Sequence, residues 1–484
     1  MTAIALPRVG AGLRVRATPY ALGVAGITVV ALLIRVIALG HQPLGGDESF
    51  TAVVSRRAWL DMYAAVRNDS AAPLPYALTH LASSLSNDPA MLRLPAALAG
   101  TAAVPLLAAL GRRLGGVRAG LWAAAAAAVL PALVLPARDA RMYALAGTLV
   151  LAATLTLWRA VERPSRPRLA VHAAVVAAAM LSDYFVAFAV VAELLAAVLV
   201  LRASRPTMLR VTAATVAGCA LLLLWLPFAT AQFHHAQQAF WLDGIGFAGA
   251  VGGVLRGFFG GPPVDANLPQ HSLLVALQGV GIAGAGVAVL AGMPRIQRAA
   301  GAYVVACGLG AAVLIGLASA VHPVLDERYV SVVWTPLFAV VGLGLSRLRW
   351  AAPPAIAAIA CASIAMCALP TRAAIADVVR EQLDGHVTAG DLVVASPDTY
   401  MQVLAAGDGD VTAHTHVLPP APPWYFGLAA YPPGAFIDAV PATANTVDVV
   451  TQPGDHQPRL PAGHTMVRRT CATMVCVTVY APAP

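Results

Sequence analysis

Apolar runs of about 20 residues recur from residue 18 to residue 369, and no other feature restricts this chain as strongly. A run of that length crosses the hydrocarbon core of a bilayer as a helix whose backbone groups satisfy one another. The chain is 59% hydrophobic and 11% charged, with a mean hydropathy of +0.74, which excludes an ordinary soluble domain. The runs predict eleven helices, near 18–40, 91–110, 117–136, 142–158, 169–183, 185–201, 211–230, 271–292, 299–320, 329–346 and 351–369. The first run is followed by HQPLGGDE and by no small-residue cleavage site, so it reads as a retained helix.

The connections alternate in character, and this gives an orientation. Lys is absent, and the arginines gather in alternate connections. One side collects Arg8, Arg14 and Arg16, then Arg112, Arg113 and Arg118, then Arg159, Arg163, Arg166 and Arg168. Arg202, Arg205, Arg210, Arg295, Arg298, Arg347 and Arg349 continue it. The positive-inside rule makes this side cytoplasmic. The net charge of +8 is therefore a property of loops and gives no reason to expect nucleic acid. The opposite, extracytoplasmic side of the plasma membrane receives the long or acidic connections 41–90, 137–141, 231–270 and 321–328, and everything after 370.

Residues 370–484 change composition toward Pro, Gly, Thr and Asp. Short β-branched runs at Asp391–Ser396, Thr446–Thr451 and Met474–Tyr480, with a helix over Ile375–Leu383, predict a small extracytoplasmic α/β domain behind a membrane domain of residues 1–369. The Pro-rich piece at 419–427 reads as a loop. Cys219, Cys307, Cys361 and Cys367 fall in apolar helices and read as small hydrophobes. Cys471 and Cys476 lie in the exported tail, where a local disulfide fits the compartment. No CxxC or HExxH pattern supports zinc, and His234-His235 reads as a solvated or substrate-facing pair. A divalent cation held by the acidic loops stays open.

Three turns on the acidic side carry the chemistry. Asp47 and Glu48 follow the first helix in HQPLGGDESF, where a carboxylate is costly without a partner or a job and suits proton abstraction from a hydroxyl. Arg138, Asp139, Arg141 and Tyr143 lie in ARDARMYA. Asp326, Glu327, Arg328 and Tyr329 lie in HPVLDERYV. Guanidiniums beside carboxylates on one membrane face point to a charged substrate with phosphate oxygens. Asp183, at a helix end, belongs with this cavity, whereas Glu193 reads as interhelical glue or a misplaced helix boundary.

The order of GGDES, PLPY, LRLPAALAG, RDARMYAL and RYV over residues 30–350 resembles the GT-C glycosyltransferases. The likeness is to their bacterial branch related to protein O-mannosyltransferases, the glycosyltransferase family 39-like proteins. PLPY stands where that family more often has His-Pro-Pro. The resemblance implies an inverting enzyme of mainly α-helical GT-C fold. It would move a sugar, mannose by preference and arabinose as the alternative, from a polyprenyl monophosphate to a hydroxyl. A glycolipid, a lipoglycan or a protein would be the acceptor. It makes Asp47 the general base, with Glu48 orienting the acceptor or supporting Asp47. The residues add Arg328, then Arg138 and Arg141, as stabilisers of the departing phosphate. Asp139 would bind sugar or fix an arginine, and Tyr143 and Tyr329 would stack on sugar or line a lipid groove. Two other classes fit less well. A transporter or flippase should show inverted repeats and mid-helix charge, and a non-catalytic scaffold leaves the Asp47 and Arg328 pattern unexplained.

Overall fold

The computed structural model describes residues 18–238, 242, 246–295, 299–418, 427–452, 455 and 457–483. Arg8, Arg14, Arg16, Arg298 and all but the last residue of the 419–427 loop lie outside these, as do the side chains of Arg295 and His235. The protein is a multi-pass membrane protein: seven of its described helices are long and apolar enough to cross a bilayer, or eight if one bent pair forms a single span.

The first pass is α1, Pro19–Val36, capped by the Thr18 hydroxyl. Three short helices, α2 (Gly46–Ser55), α3 (Trp59–Arg67) and α4 (Pro73–Ser83), fill the long first connection. Next comes α5, Pro89–Val129, whose 41 residues combine the helices expected at 91–110 and 117–136. Helical geometry fails at Gly115 and Gly116, the latter at φ +80°, a conformation that favours glycine. The two arms then fold back on each other. A Cβ added at Gly111 would lie 2.7 Å from that of Ala123, and one at Gly120 2.8 Å from the Ala108 carbonyl. Small residues permit this close packing of helices in lipid. The second arm stops at Val129, short of the expected 136, because Pro131 and Pro136 interrupt it. They leave only α6 (Pro131–Val134) and a 3-10 turn at Pro136–Arg138.

The bundle continues with α7 (Tyr143–Glu162), α8 (Arg166–Met180), α9 (Val186–Leu199) and α10 (Arg205–Ala220). At the arginine-rich end Arg113 forms a forked pair with Glu162, at 2.7 and 3.0 Å. Helix α8 has 15 residues, as many as the span expected there but starting three residues earlier, and α9 has 14, fewer than the span expected at 185–201. Within the bundle the Thr154 hydroxyl donates to Glu193 at 2.6 Å, the interhelical role expected of that glutamate. The connection 231–270, expected as a loop, contains the end of α11 (Leu226–Gln238) and an apolar helix α12 (Phe247–Gly260). Its Gly-spaced apolar residues pack on α13 (His271–Gly292) and on α15 (Glu327–Val333). After α13 come α14 (Ala299–Ala318), α15, α16 (Phe338–Leu345) and α17 (Ala352–Ala368). The span expected at 329–346 is bent by 62° between α15 and α16, where Pro336 denies the ladder a donor.

The C-terminal unit contains α18 (Ile375–Gln382), β1 (Leu392–Ala395), α19 (Pro397–Ala406), α20 (Gly409–His414), β2 (Thr415–His416), β3 (Val447–Thr451), β4 (His464–Ala472) and β5 (Val475–Pro482). Its sheet has the order β2-β1-β3-β5-β4, parallel across the first three and antiparallel beyond. Three of these strands were expected. β2 has only two residues, and β4 (HTMVRRTCA) is an exposed edge without the apolar alternation that marks a strand. Cys471 and Cys476 form the expected disulfide across the β4–β5 hairpin. The unit does not stand apart. One hydrophobic cluster joins Phe50, Val54, Met62 and Tyr76 of the first connection, and Trp225, to Val379, Tyr400, Val403, Val450 and Val477.

Candidate active site

Helix α2 begins in a glycine pair, which puts Asp47 and Glu48 in its first turn, where the helix dipole favours negative charge. Successive positions on a helix point apart, and these two carboxylates have different surroundings. Glu48 is 1% exposed and turned into the protein. Arg93 Nε and Nη2 donate to its two oxygens at 2.8 and 2.7 Å, the Ala140 amide at 2.7 Å and the Gly45 amide at 3.3 Å. Arg372 closes the set with an ion pair. Arg93 also reaches the carbonyls of Leu39, Gln42 and Pro43. Glu48 therefore ties α2, α5, the 138–141 turn and the segment after α17 into one knot, and its oxygens are spent on these donors.

Asp47 lines two cavities, and its side chain is 54% exposed. Arg328 Nη1 lies 3.4 Å from its carboxylate. Removal from bulk water pushes its pKa up, but Arg141, Arg328 and Arg372 outweigh that, and the net position is below the ordinary carboxylate value. Arg141 is held by the Asp47 carbonyl, the Thr51 hydroxyl and the Tyr76 hydroxyl at 3.3 to 3.4 Å. Tyr329 stacks on Phe185, with centroids 4.1 Å apart and planes 5° from parallel.

The larger cavity has about 920 Å³ and takes its floor from Asp47, Asp69, Arg141, Tyr143, Asp183 and Arg328. Phe185, Phe188, Phe233, Val321 and Val324 give it apolar lining, and Pro397, Asp398, Met401, Gln402, Gly427 and Gln452 of the C-terminal unit also line it. Burial pushes Asp69 up to about 6 and Asp183 up to about 7, each partly opposed by Arg141. The smaller cavity, about 370 Å³, lies between α12, the 136–139 turn and α15, and holds Asp139, Glu327, Arg328 and Arg372. Asp47, Tyr143 and Arg328 belong to both.

Of the residues expected from the sequence, Asp47, Arg141, Tyr143, Arg328 and Tyr329 meet at these cavities, and Asp183 joins them. Asp139 sits in the smaller one, 3.4 Å from Arg372, pushed up to about 6 by burial against the pull of Arg93 and Arg141. Arg138 is not brought in. Its guanidinium donates to the carbonyls of Ile34, Arg35, Ile37 and Ala38, capping the end of α1. Arg372, Asp69, Gln402 and Asp398 were not anticipated. For Arg372 a signal existed, because an arginine just beyond the last span on the acidic side breaks the positive-inside pattern. Among the described residues no three or more His, Cys, Asp or Glu side chains gather as a metal site. His234 is exposed.

The model of the family described as "Dolichyl-phosphate-mannose-protein mannosyltransferase" matches residues 70–230. No curated protein matches the chain in sequence. Among solved structures the chain is similar to ArnT from Cupriavidus metallidurans in the apo state, at 14% identity and a TM-score of 0.62, over 94% of this chain and 97% of that one. The same protein bound to undecaprenyl phosphate gives a TM-score of 0.58 at 14% identity over the same shares. The Archaeoglobus fulgidus oligosaccharyltransferase, in its apo form, gives 0.54 at 10% identity over 83% of this chain and 64% of that one. The fold is therefore the GT-C fold that these membrane proteins share.

Proposed function

We propose that this protein transfers a sugar, mannose in the first instance, from a polyprenyl monophosphate to an acceptor hydroxyl with inversion, on the side of the membrane opposite its arginine-rich loops. One observation carries the reading: Asp47 stands where two cavities meet, with Arg328 and Arg372 converging on the smaller. The carrier phosphate fits that smaller cavity, and the acceptor enters from the larger, on the opposite side of the sugar. The undecaprenyl phosphate bound to ArnT and the mannosyl-phosphate family matched by residues 70–230 support this donor class.

Asp47 takes the proton of the acceptor hydroxyl as the oxygen attacks the anomeric carbon. The bond to the phosphate oxygen breaks and its electron pair leaves with the carrier. Arg328 and Arg372 oppose the charge that builds on that phosphate, and guanidiniums remain charged beside lipid. The lowered pKa keeps Asp47 ionised and ready to act as base throughout the neutral range. Glu48 and Arg138 position the site without touching substrate.

The test is transfer from radiolabelled polyprenyl-phosphate mannose by purified protein in nanodiscs. Asp47→Asn should cut turnover by about 10²- to 10⁴-fold while leaving donor binding intact. Arg328→Ala should weaken donor binding and turnover together. Full activity in Asp47→Asn would overturn the assignment of the base, and unaltered kinetics in Arg328→Ala that of the phosphate ligand.

A further inference from the structure

The surface that the C-terminal unit turns toward Asp47 is built at a switch point of its sheet. From β1 the chain passes to β2 on one side and later to β3 on the other. Ligands of open parallel sheets gather outside the carboxyl ends of strands at such a point. The carboxyl ends of β1 and β3 lie together, with the Ser396 amide donating to the Val450 carbonyl at 3.1 Å. Just beyond them Asp455 accepts from the Gln452 amide at 2.7 Å and from the Ser396 hydroxyl, which fixes the two loops. Asp398, Gln402 and Gln452 face the larger cavity from these loops and from α19. Gln402 comes close to α2: its Nε2 lies 3.6 Å from where a Cβ on Gly46 would be, one residue from Asp47.

The polar lining of this chamber is rich in hydrogen-bonding groups. Its described lining has two arginines, Arg141 and Arg328, and both contact Asp47. Away from Asp47 it presents the carboxyl groups of Asp69, Asp183 and Asp398, the carboxamides of Gln232, Gln402 and Gln452, and His322. Asp183 is 3% exposed, and its Oδ2 has no hydrogen-bond partner among the described residues. Carboxyl groups and carboxamides pair with neutral hydroxyls.

Resting on the transfer reading above, we propose that the acceptor is itself a sugar, an uncharged polyol whose hydroxyls are read by Asp398, Gln402 and Gln452. These three residues determine specificity, and Asp47 takes the proton from the hydroxyl presented beneath them.

The experiment offers full-length protein in nanodiscs labelled polyprenyl-phosphate mannose and three acceptors with the same alkyl chain: octyl mannoside, octyl phosphate and an octanoylated serine peptide. Label should enter octyl mannoside. Asp398→Ala and Gln402→Ala should each raise its KM by about tenfold with the donor KM unchanged, an unchanged value that also certifies the fold. Gln452→Ala, in a loop, gives a second reading if a helix variant fails to fold. Label entering octyl phosphate or the peptide instead overturns the proposal, as does a mannoside KM that none of the variants alters. If the wild type leaves the donor as intact as Asp47→Asn does with all three acceptors, the transfer reading falls, and this inference with it.

Discussion

Two adjacent carboxylates on α2 have opposite fates, and the difference lies in what reaches them. Glu48 receives Arg93, Arg372 and two backbone amides in a dry pocket, whereas Asp47 opens to both cavities. Removing one partner of a buried ion pair leaves the other charge uncompensated and costs about 3–5 kcal/mol. Glu48→Ala should therefore lower the yield of folded protein and its thermal stability in detergent, which Asp47→Asn should not. Asp183 supplies a second prediction. Burial raises it to about 7 from an ordinary 3.8, against the Phe185 amide and Arg141. The native state then holds a proton that the unfolded chain has released, so stability falls as pH rises from about 4 to about 7 and levels off above. Asp183→Asn should flatten that decline and raise the apparent Tm at about pH 8, as followed by thermal unfolding across the pH range.

At the scale of elements, the bundle depends on glycines that let helices touch. The second arm of α5 crosses α16 where a Cβ on Gly342 would overlap the backbone of Ala123, and one on Gly344 would overlap the carbonyl of Ala288 in α13. Overpacking a tight contact costs about 1–3 kcal/mol. Gly342→Val should lower the apparent Tm measurably, while the same change at Gly286, where a Cβ meets nothing within 4 Å, should not. This contact also bears on the site: α16 follows the bend after α15, and α15 carries Arg328 at its first turn. The bend at Pro336 lets α15 leave the bundle axis and bring Arg328 to Asp47.

Over the whole molecule, the first connection, the segment after α17 and the C-terminal sheet close on one end of the bundle and enclose the site together. Their shared core runs from Phe50 to Val477, and Arg372 and Gln402 come from beyond the last span. Deleting residues 370–484 should abolish transfer and expose the apolar faces of α2 and α3, read as lost activity and as aggregation on size exclusion in detergent. The sequence alone determined the membrane class, the acidic end, three of the five strands and the convergence of Asp47, Arg141, Tyr143 and Arg328, and it allowed the disulfide without deciding it. Each of these follows from hydropathy, β-branched runs or charge next to a span, properties written locally along the chain. Tertiary structure decided what local pattern does not encode. It set Glu48 on Arg93 and Arg372 and turned Arg138 to the carbonyls of α1. It also placed Asp398 and Gln402 at the same cavity as Asp47, some 350 residues earlier in the chain. The physical reason is reach: which partner a buried charge finds depends on the elements that pack beside it, and these come from parts of the chain far apart in sequence.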